Sequence, residues 1–226
     1  MPRIPYPDLD KASPEVREML GRLPTPANIF NMMAHAQSCV KPVMKLGGTL
    51  LGKLELDPKL RELCLLHAVK LEGGEYEWVQ HVPIARDLGC TEAQIAALDK
   101  GDDRAACFDA REKAALRFTR EVVVDVRASE ATLAEARKHL SNREIVELIL
   151  MSGFYIMLAR LTESLGVETE APMGSALIRD IEKRVAAPRP SPHSAPAHVI
   201  GHPLEPQREA RRRPVFLWPQ VSRWIP

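Results

Sequence analysis

Residues 58–74, PKLRELCLLHAVKLEGG, limit the possible folds more than any other part of the chain. Asp57-Pro58 has the form of a helix start, an N-cap followed by proline in the first turn. Gly73-Gly74 is a strong helix stop. From Leu63 to Val69 the helix between them is apolar on nearly every side. A helix of that kind lies at the centre of a domain or in an oligomer interface. Aromatic residues make up only 5% of the chain. Leu, Ala, Val, Ile and Met must therefore fill the core, which suits helices better than a β-sandwich.

Helix starts recur on both sides of this segment. Ser13-Pro14-Glu15 repeats the N-cap and proline pattern, while Thr91 with Gln94, Asp109 with Glu112, and Ser141 with Glu144 have capping-box spacing. These signals predict helices near 14–21, 28–36, 40–53, 58–71, 75–87, 92–99, 110–126, 130–139, 142–165 and 173–185. EVVVDV (121–126) is β-branched but continues the helical pattern of Ala114 and Leu116. No segment alternates with period two for long enough to be a strand. The expected fold class is all-α, a single helical domain.

Composition sets the expected boundaries: an arm over 1–12, the helical domain over 13–186, and a tail over 187–226. Nine of the 19 prolines fall in that tail, with six arginines against two glutamates, and it ends in the apolar VFLWPQVSRWIP. Such a stretch is expected to be disordered, either dispensable or a docking segment. The net charge of +1 gives no steering toward nucleic acid or acidic lipid. Cys39, Cys64, Cys90 and Cys107 are scattered, with no C-x-x-C, as in a reduced protein. MPRIPYPDLD lacks the form of a signal peptide, and no run reaches the eighteen or so apolar residues that span a bilayer. A soluble, cytoplasmic protein is expected.

Three side chains near the glycine break stand out as carriers of chemistry. Glu62 shares a helix face with Leu65, Leu66 and Val69 and is expected to be at least partly buried. A buried carboxylate needs a partner, such as Arg61 or Lys59, or has a raised pKa and a role. Beyond the break, Glu77 and His81 are four apart on the next helix, where a carboxylate can orient an imidazole. Tyr76 and Trp78 flank the pair and could wall a pocket, and Pro83 should distort the helix after His81. Each signal alone is weak, and a surface or core role is the plain alternative. A metal site built from Glu62, His67, Glu77 and His81 lacks the H-E-x-x-H pattern. Cys64, mid-helix among leucines, reads as inert core; Cys90, ahead of an N-cap, is the better-placed thiol.

Taken together, LDPKLRELCLLHAVKLEGGEYEWVQHVPIARDLGCTEAQIAAL resembles the carboxymuconolactone decarboxylase family, part of the alkylhydroperoxidase D superfamily. Glu62 matches the family's first Glu and His81 its final His, while Gly74 and Glu77 stand where peroxidase members have two cysteines. PANIFNMMAHAQSCVKPVMKLGGTLL and SNREIVELILMSGFYIMLARLTESLGVETE look like the preceding helices and the long C-terminal helix. The resemblance covers roughly residues 20–170. It implies a helical hairpin assembled as a trimer or hexamer, with sites at subunit interfaces. Without the cysteine pair, disulfide-based peroxidase activity is not expected.

The implied activity is that of a cofactor-free decarboxylase, a lyase acting on a small carboxylated lactone or enone in aromatic-compound metabolism. His81 would be the general acid/base, Glu77 would orient it, and Glu62 would relay a proton or tune the pair. Tyr76, Trp78, Asn28, Phe30 and Asn31 are the candidates to bind substrate. Arg61, Arg86 and Arg160 are alternatives for holding its carboxylate. A hydratase or isomerase could use the same pair. The rival from another class is a non-catalytic oligomeric binding protein with the same fold. The expected partners are a small-molecule substrate and further copies of the chain, with no metal, nucleic acid or membrane.

Overall fold

A computed structural model describes residues 1–172, apart from Pro24, together with Gly174. These residues belong to one compact unit, Met1–Pro188. They form nine α-helices: α1 (Pro14–Gly21), α2 (Asn28–Met33), α3 (Gln37–Gly52), α4 (Pro58–Glu72), α5 (Glu75–Asp87), α6 (Glu92–Asp99), α7 (Ala110–Val124), α8 (Glu130–Ala136) and α9 (Asn142–Leu165). Two short 3₁₀ turns complete them, and the described residues contain no strand. The fold is all-α. The expected helix over 173–185, the boundary at 186 and the tail from 187 lie outside the described residues, Gly174 excepted.

The helix starts follow the capping logic. Asp57 accepts the Leu60 N–H at the head of α4, and Thr91, Asp109 and Ser141 each complete a reciprocal capping box. Each satisfies backbone donors that would otherwise have no partner. Several ends fall short of expectation: the helix expected over 28–36 ends at Met33 and passes into a 3₁₀ turn over Ala34–Ala36, and the one expected to 53 ends at Gly52. The helix expected over 110–126 stops at Val124, because Val126 takes a φ of 69°, in the left-handed region. The one expected over 130–139 stops at Ala136, and the chain turns through 137–139.

α4 is the hub. Every residue from Leu60 to Val69 is buried, and α5, α6, α7 and α9 pack around it. Leu63, Leu65, Leu66 and Val69 are wholly excluded from solvent, each contributing about 1.5–3 kcal/mol by area. α9, 24 residues long with a mean hydropathy of 1.7 over its most apolar window, would pass for a membrane span by length and composition. That window is 56% buried inside the protein, as in a core helix. No uninterrupted apolar run announced it, because polar residues are scattered along it.

The glycine break joins α4 to α5. Gly73 caps α4 with a φ of 72°, a conformation that costs other residues about 1 kcal/mol or more. Gly74 is needed for a different reason. A Cβ there would lie 2.8 Å from the Ala159 Cβ on α9 and 3.1 Å from a Glu77 carboxylate oxygen. Ala159 has no torsion with which to yield. Gly74→Ala is therefore expected to destabilise the domain by about 1–3 kcal/mol through overpacking. Equilibrium denaturation checks it, and a midpoint equal to that of the wild type would contradict the packing argument.

Candidate active site

α4 and α5 bring Glu62 and His81 together. The His81 Nδ1 lies 2.9 Å from Glu62 Oε2. Glu62 is fully buried and His81 is 7% exposed. A carboxylate on one ring nitrogen orients the ring: Nδ1–H donates to Glu62, which leaves Nε2 as the nitrogen free to exchange a proton. The other Glu62 oxygen accepts from Arg61 Nε at 3.0 Å, and Arg61 Nη1 donates to the Leu51 carbonyl at 2.6 Å. Arg61 Nη2 lies 3.0 Å from the same Glu62 oxygen but makes no hydrogen bond among the described residues. Burial pushes the Glu62 pKa up. The facing imidazole, its hydrogen bond and the Arg61 guanidinium more than offset this, so the carboxyl is held below its ordinary value.

The expected Glu77–His81 hydrogen bond does not form; Glu62 takes the imidazole instead. Helical spacing offered Glu77 to His81, but the packing of α4 on α5 delivers Glu62. Glu77 faces α9, where Thr162 Oγ1 lies 3.3 Å from each of its oxygens. The single Thr162 proton is also within reach of the Leu158 and Ala159 carbonyls at 3.2 and 3.1 Å. A protonated Glu77 can therefore donate to the hydroxyl oxygen while that proton goes to the helix. Burial raises the Glu77 pKa to about 7, although its own backbone N–H, His81 and Thr162 pull it down. Glu77 and Glu62, both buried, are thus pushed in opposite directions.

Tyr155 on α9 was not foreseen. Its ring stands edge-on to the imidazole of His81, with centroids 4.8 Å apart and planes at 84°. Burial, followed by the Glu62 charge, raises the pKa of the phenol, so it remains a proton donor. Its hydroxyl makes no hydrogen bond to another described residue. Its signal in sequence was a tyrosine among the apolar residues of α9.

The other expected site residues are placed as follows. The Tyr76 hydroxyl donates to Glu170 Oε1 at 2.6 Å, and the Asn28 side chain donates to the Glu168 carbonyl at 2.9 Å. Trp78 is half-buried beneath Lys70, whose Nζ lies 5.0 Å from the ring centroid. Phe30 packs against the core, and Asn31 is half-buried on the same helix. α5 continues through Pro83 to Asp87. Of the three arginines, Arg61 borders the pair, Arg86 is bound to Glu92, and Arg160 pairs with Glu72. Burial raises the Cys64 and Cys90 thiols to about 12, which disfavours thiolate chemistry. Among the described residues no three His, Cys, Asp or Glu side chains converge where a metal could be held.

The fold and its sequence have relatives. The family model for the carboxymuconolactone decarboxylase family matches residues 40–121, which contain Glu62, Glu77 and His81. Over that span the chain is similar to the carboxymuconolactone decarboxylase family. The chain also resembles solved structures of the alkylhydroperoxidase D fold. A peroxidase-related protein from Ralstonia eutropha JMP134, described as an alkylhydroperoxidase AhpD core, superposes with a TM-score of 0.66 at 18% identity, covering 75% of this chain and 92% of that one. A peroxidase-related protein from Silicibacter sp. TM1040 gives 0.66 at 20% identity, with the same coverages. The debrominase Bmp8, in complex with 2,3,4-tribromopyrrole, gives 0.60 at 14% identity, covering 81% and 96%. At these identities the likeness is one of fold. No curated protein matches the sequence.

Proposed function

We propose that this chain is a decarboxylase of the carboxymuconolactone type. It would act without a cofactor on a small carboxylated lactone or enone, by proton transfer at His81. The observation that carries this reading is the buried Glu62–His81 pair at 2.9 Å, with the Tyr155 ring against the imidazole. Loss of carbon dioxide leaves an electron pair that an adjacent carbonyl holds as an enolate. That intermediate needs a proton delivered to carbon and donors for its oxygen. Glu62 fixes the imidazole, His81 Nε2 carries the proton, and the Tyr155 phenol is the donor for the oxygen. Glu77, one turn from His81 on α5 and with a pKa near 7, would resupply the proton. This differs from an assignment in which Glu77 orients His81. The debrominase complex, with its small ring ligand, supports the fold as a host for such molecules. The protonated thiols weigh against peroxide reduction.

The test is a screen of carboxylated lactones and enones for release of carbon dioxide, followed by His81→Ala and Tyr155→Phe. Each variant is expected to lose about tenfold or more in turnover. Unchanged turnover in His81→Ala overturns the assignment. Release of water or rearranged product without carbon dioxide would identify a hydratase or isomerase working through the same pair.

We also propose a homo-oligomer working in the cytoplasm, a setting in keeping with four free thiols. α9 leaves Val146, Ile149, Leu150 and Met157 exposed, the first three at 54%, 42% and 54%. Their spacing of three, four and eleven places them along one side of the helix. Val146→Glu with Leu150→Glu is expected to reduce the mass measured by light scattering to that of one chain. A wild-type protein that is already monomeric would remove this proposal.

A further inference from the structure

α9 ends at Gly166, and the residues after it turn back across α2 and α5 without forming a helix or strand. Glu170 in this segment places its carboxylate among three neutral donors. Tyr76 Oη donates to Oε1 at 2.6 Å, Gln80 Nε2 approaches the same oxygen at 3.3 Å, and the Asn28 N–H donates to Oε2 at 3.2 Å. Gln80 Nε2 also donates to the Glu170 carbonyl at 3.1 Å. Tyr76 is 5% exposed and its hydroxyl accepts the Ile29 N–H at 3.3 Å, so the phenol is fixed in place with its proton pointing at the carboxylate.

Tyr76 and Gln80 are one turn apart on α5. Glu77 and His81 follow them by one position each, so the two pairs leave α5 in different directions, about 100° apart around the helix. The carboxylate that occupies the Tyr76–Gln80 cradle belongs to the protein itself, on a stretch without helix or strand that polar contacts and the buried Val167 hold in place. The polar contacts include Arg3 N–H to the Leu165 carbonyl at 2.7 Å and Asn28 Nδ2 to the Glu168 carbonyl.

We infer that Tyr76, Gln80 and the Asn28 N–H form a carboxylate-binding subsite, and that Glu170 is its internal occupant, a latch that a small organic carboxylate must displace. A tethered carboxylate competes at an effective concentration in the millimolar range or above. The latch therefore sets a threshold that free carboxylate has to exceed. As an account of substrate entry the inference rests on the proposed function; as a binding site it does not.

The experiment is chemical rescue in the full-length chain. Glu170→Ala empties the cradle, and its melting temperature is expected to fall by several degrees. Sodium acetate, compared with chloride at matched ionic strength, is expected to restore it saturably in the millimolar range. The wild type should respond only weakly, because its cradle is filled, and Tyr76→Phe in the Glu170→Ala background should abolish the acetate response. If Glu170→Ala does not fold, Glu170→Gln keeps an acceptor for the Tyr76 phenol with a weaker neutral contact. Acetate is then expected to bind it at least threefold more tightly than wild type, read by titration calorimetry. An acetate response equal to that of wild type, in whichever variant folds, overturns the latch. No turnover is measured, so that failure leaves the proton-transfer assignment standing. Unchanged turnover in His81→Ala would equally leave the subsite standing.

Discussion

Glu62→Ala is expected to cost the folded domain about 3–5 kcal/mol, the range for breaking a buried ion pair from one side. The reason lies in what stays behind. Arg61 is 3% exposed and its Nε depends on the Glu62 carboxylate. Without that carboxylate, a guanidinium charge remains deep in α4, one turn from Leu65, with the Leu51 carbonyl as its hydrogen-bond partner among the described residues. His81 Nδ1 also loses its acceptor. Against a typical total of about 5–15 kcal/mol, this is a large fraction of the stability. Glu62→Gln preserves volume and one acceptor but not the charge, so it should fall between wild type and alanine. Removing both charges with Arg61→Met and Glu62→Leu is expected to recover most of the loss, because an apolar pair of similar size does not need a counter-ion. Denaturant midpoints with unchanged slopes measure all three. A Glu62→Ala loss below about 1 kcal/mol would show that the pair is not the buried charge network described here.

The helices were largely legible because their signals are local. Ser141 and Glu144, three residues apart, cap α9 as their spacing implies, and Asp57-Pro58 with Gly73-Gly74 bracket α4. The burial of Glu62 was legible too, since it shares its face with Leu65, Leu66 and Val69. The choice of its partner was not. Helical spacing offered Glu77 to His81, but the crossing of α4 over α5 delivers Glu62, 19 positions away. Tyr155 reaches the site from 74 positions further along the chain than His81 (155 − 81), and nothing local distinguishes it from the core residues around it. Glu170 was hidden for the same reason: its donors lie on α2 and α5, elements it meets only after the chain has folded. Local rules thus recover elements and faces, while the pairing of polar groups across elements depends on packing.

The same packing predicts an unusual dependence of stability on pH. Glu77 has an unfolded value of 4.5 and a folded value raised to about 7 by burial. The folded state therefore holds its proton more tightly. The stability this contributes is complete below pH 4.5 and is lost as pH rises through 7. His67 is the opposite case. It is wholly buried, with Nε2 3.5 Å from Asp103 Oδ2 and neither ring nitrogen hydrogen-bonded among the described residues. Burial lowers its pKa from 6.5 to about 4, with the nearby Asp103 opposing and Arg120 adding to the effect. Its neutral form is the one the fold accepts, so that contribution is complete above pH 6.5 and is lost as pH falls through 4. Each shift corresponds to about 3 kcal/mol. Between pH 4.5 and 6.5 the two slopes have opposite sign and similar size, so the wild type is expected to show a nearly flat profile there. Single substitutions should expose what the cancellation hides. Glu77→Gln removes the falling limb, leaving stability that rises by about 3 kcal/mol from pH 4 to 6.5. His67→Phe removes the rising limb, leaving stability that falls by a similar amount from pH 4.5 to 7. Denaturation midpoints across this range decide the matter. A Glu77→Gln profile as flat as that of the wild type would mean that the two buried groups do not oppose each other.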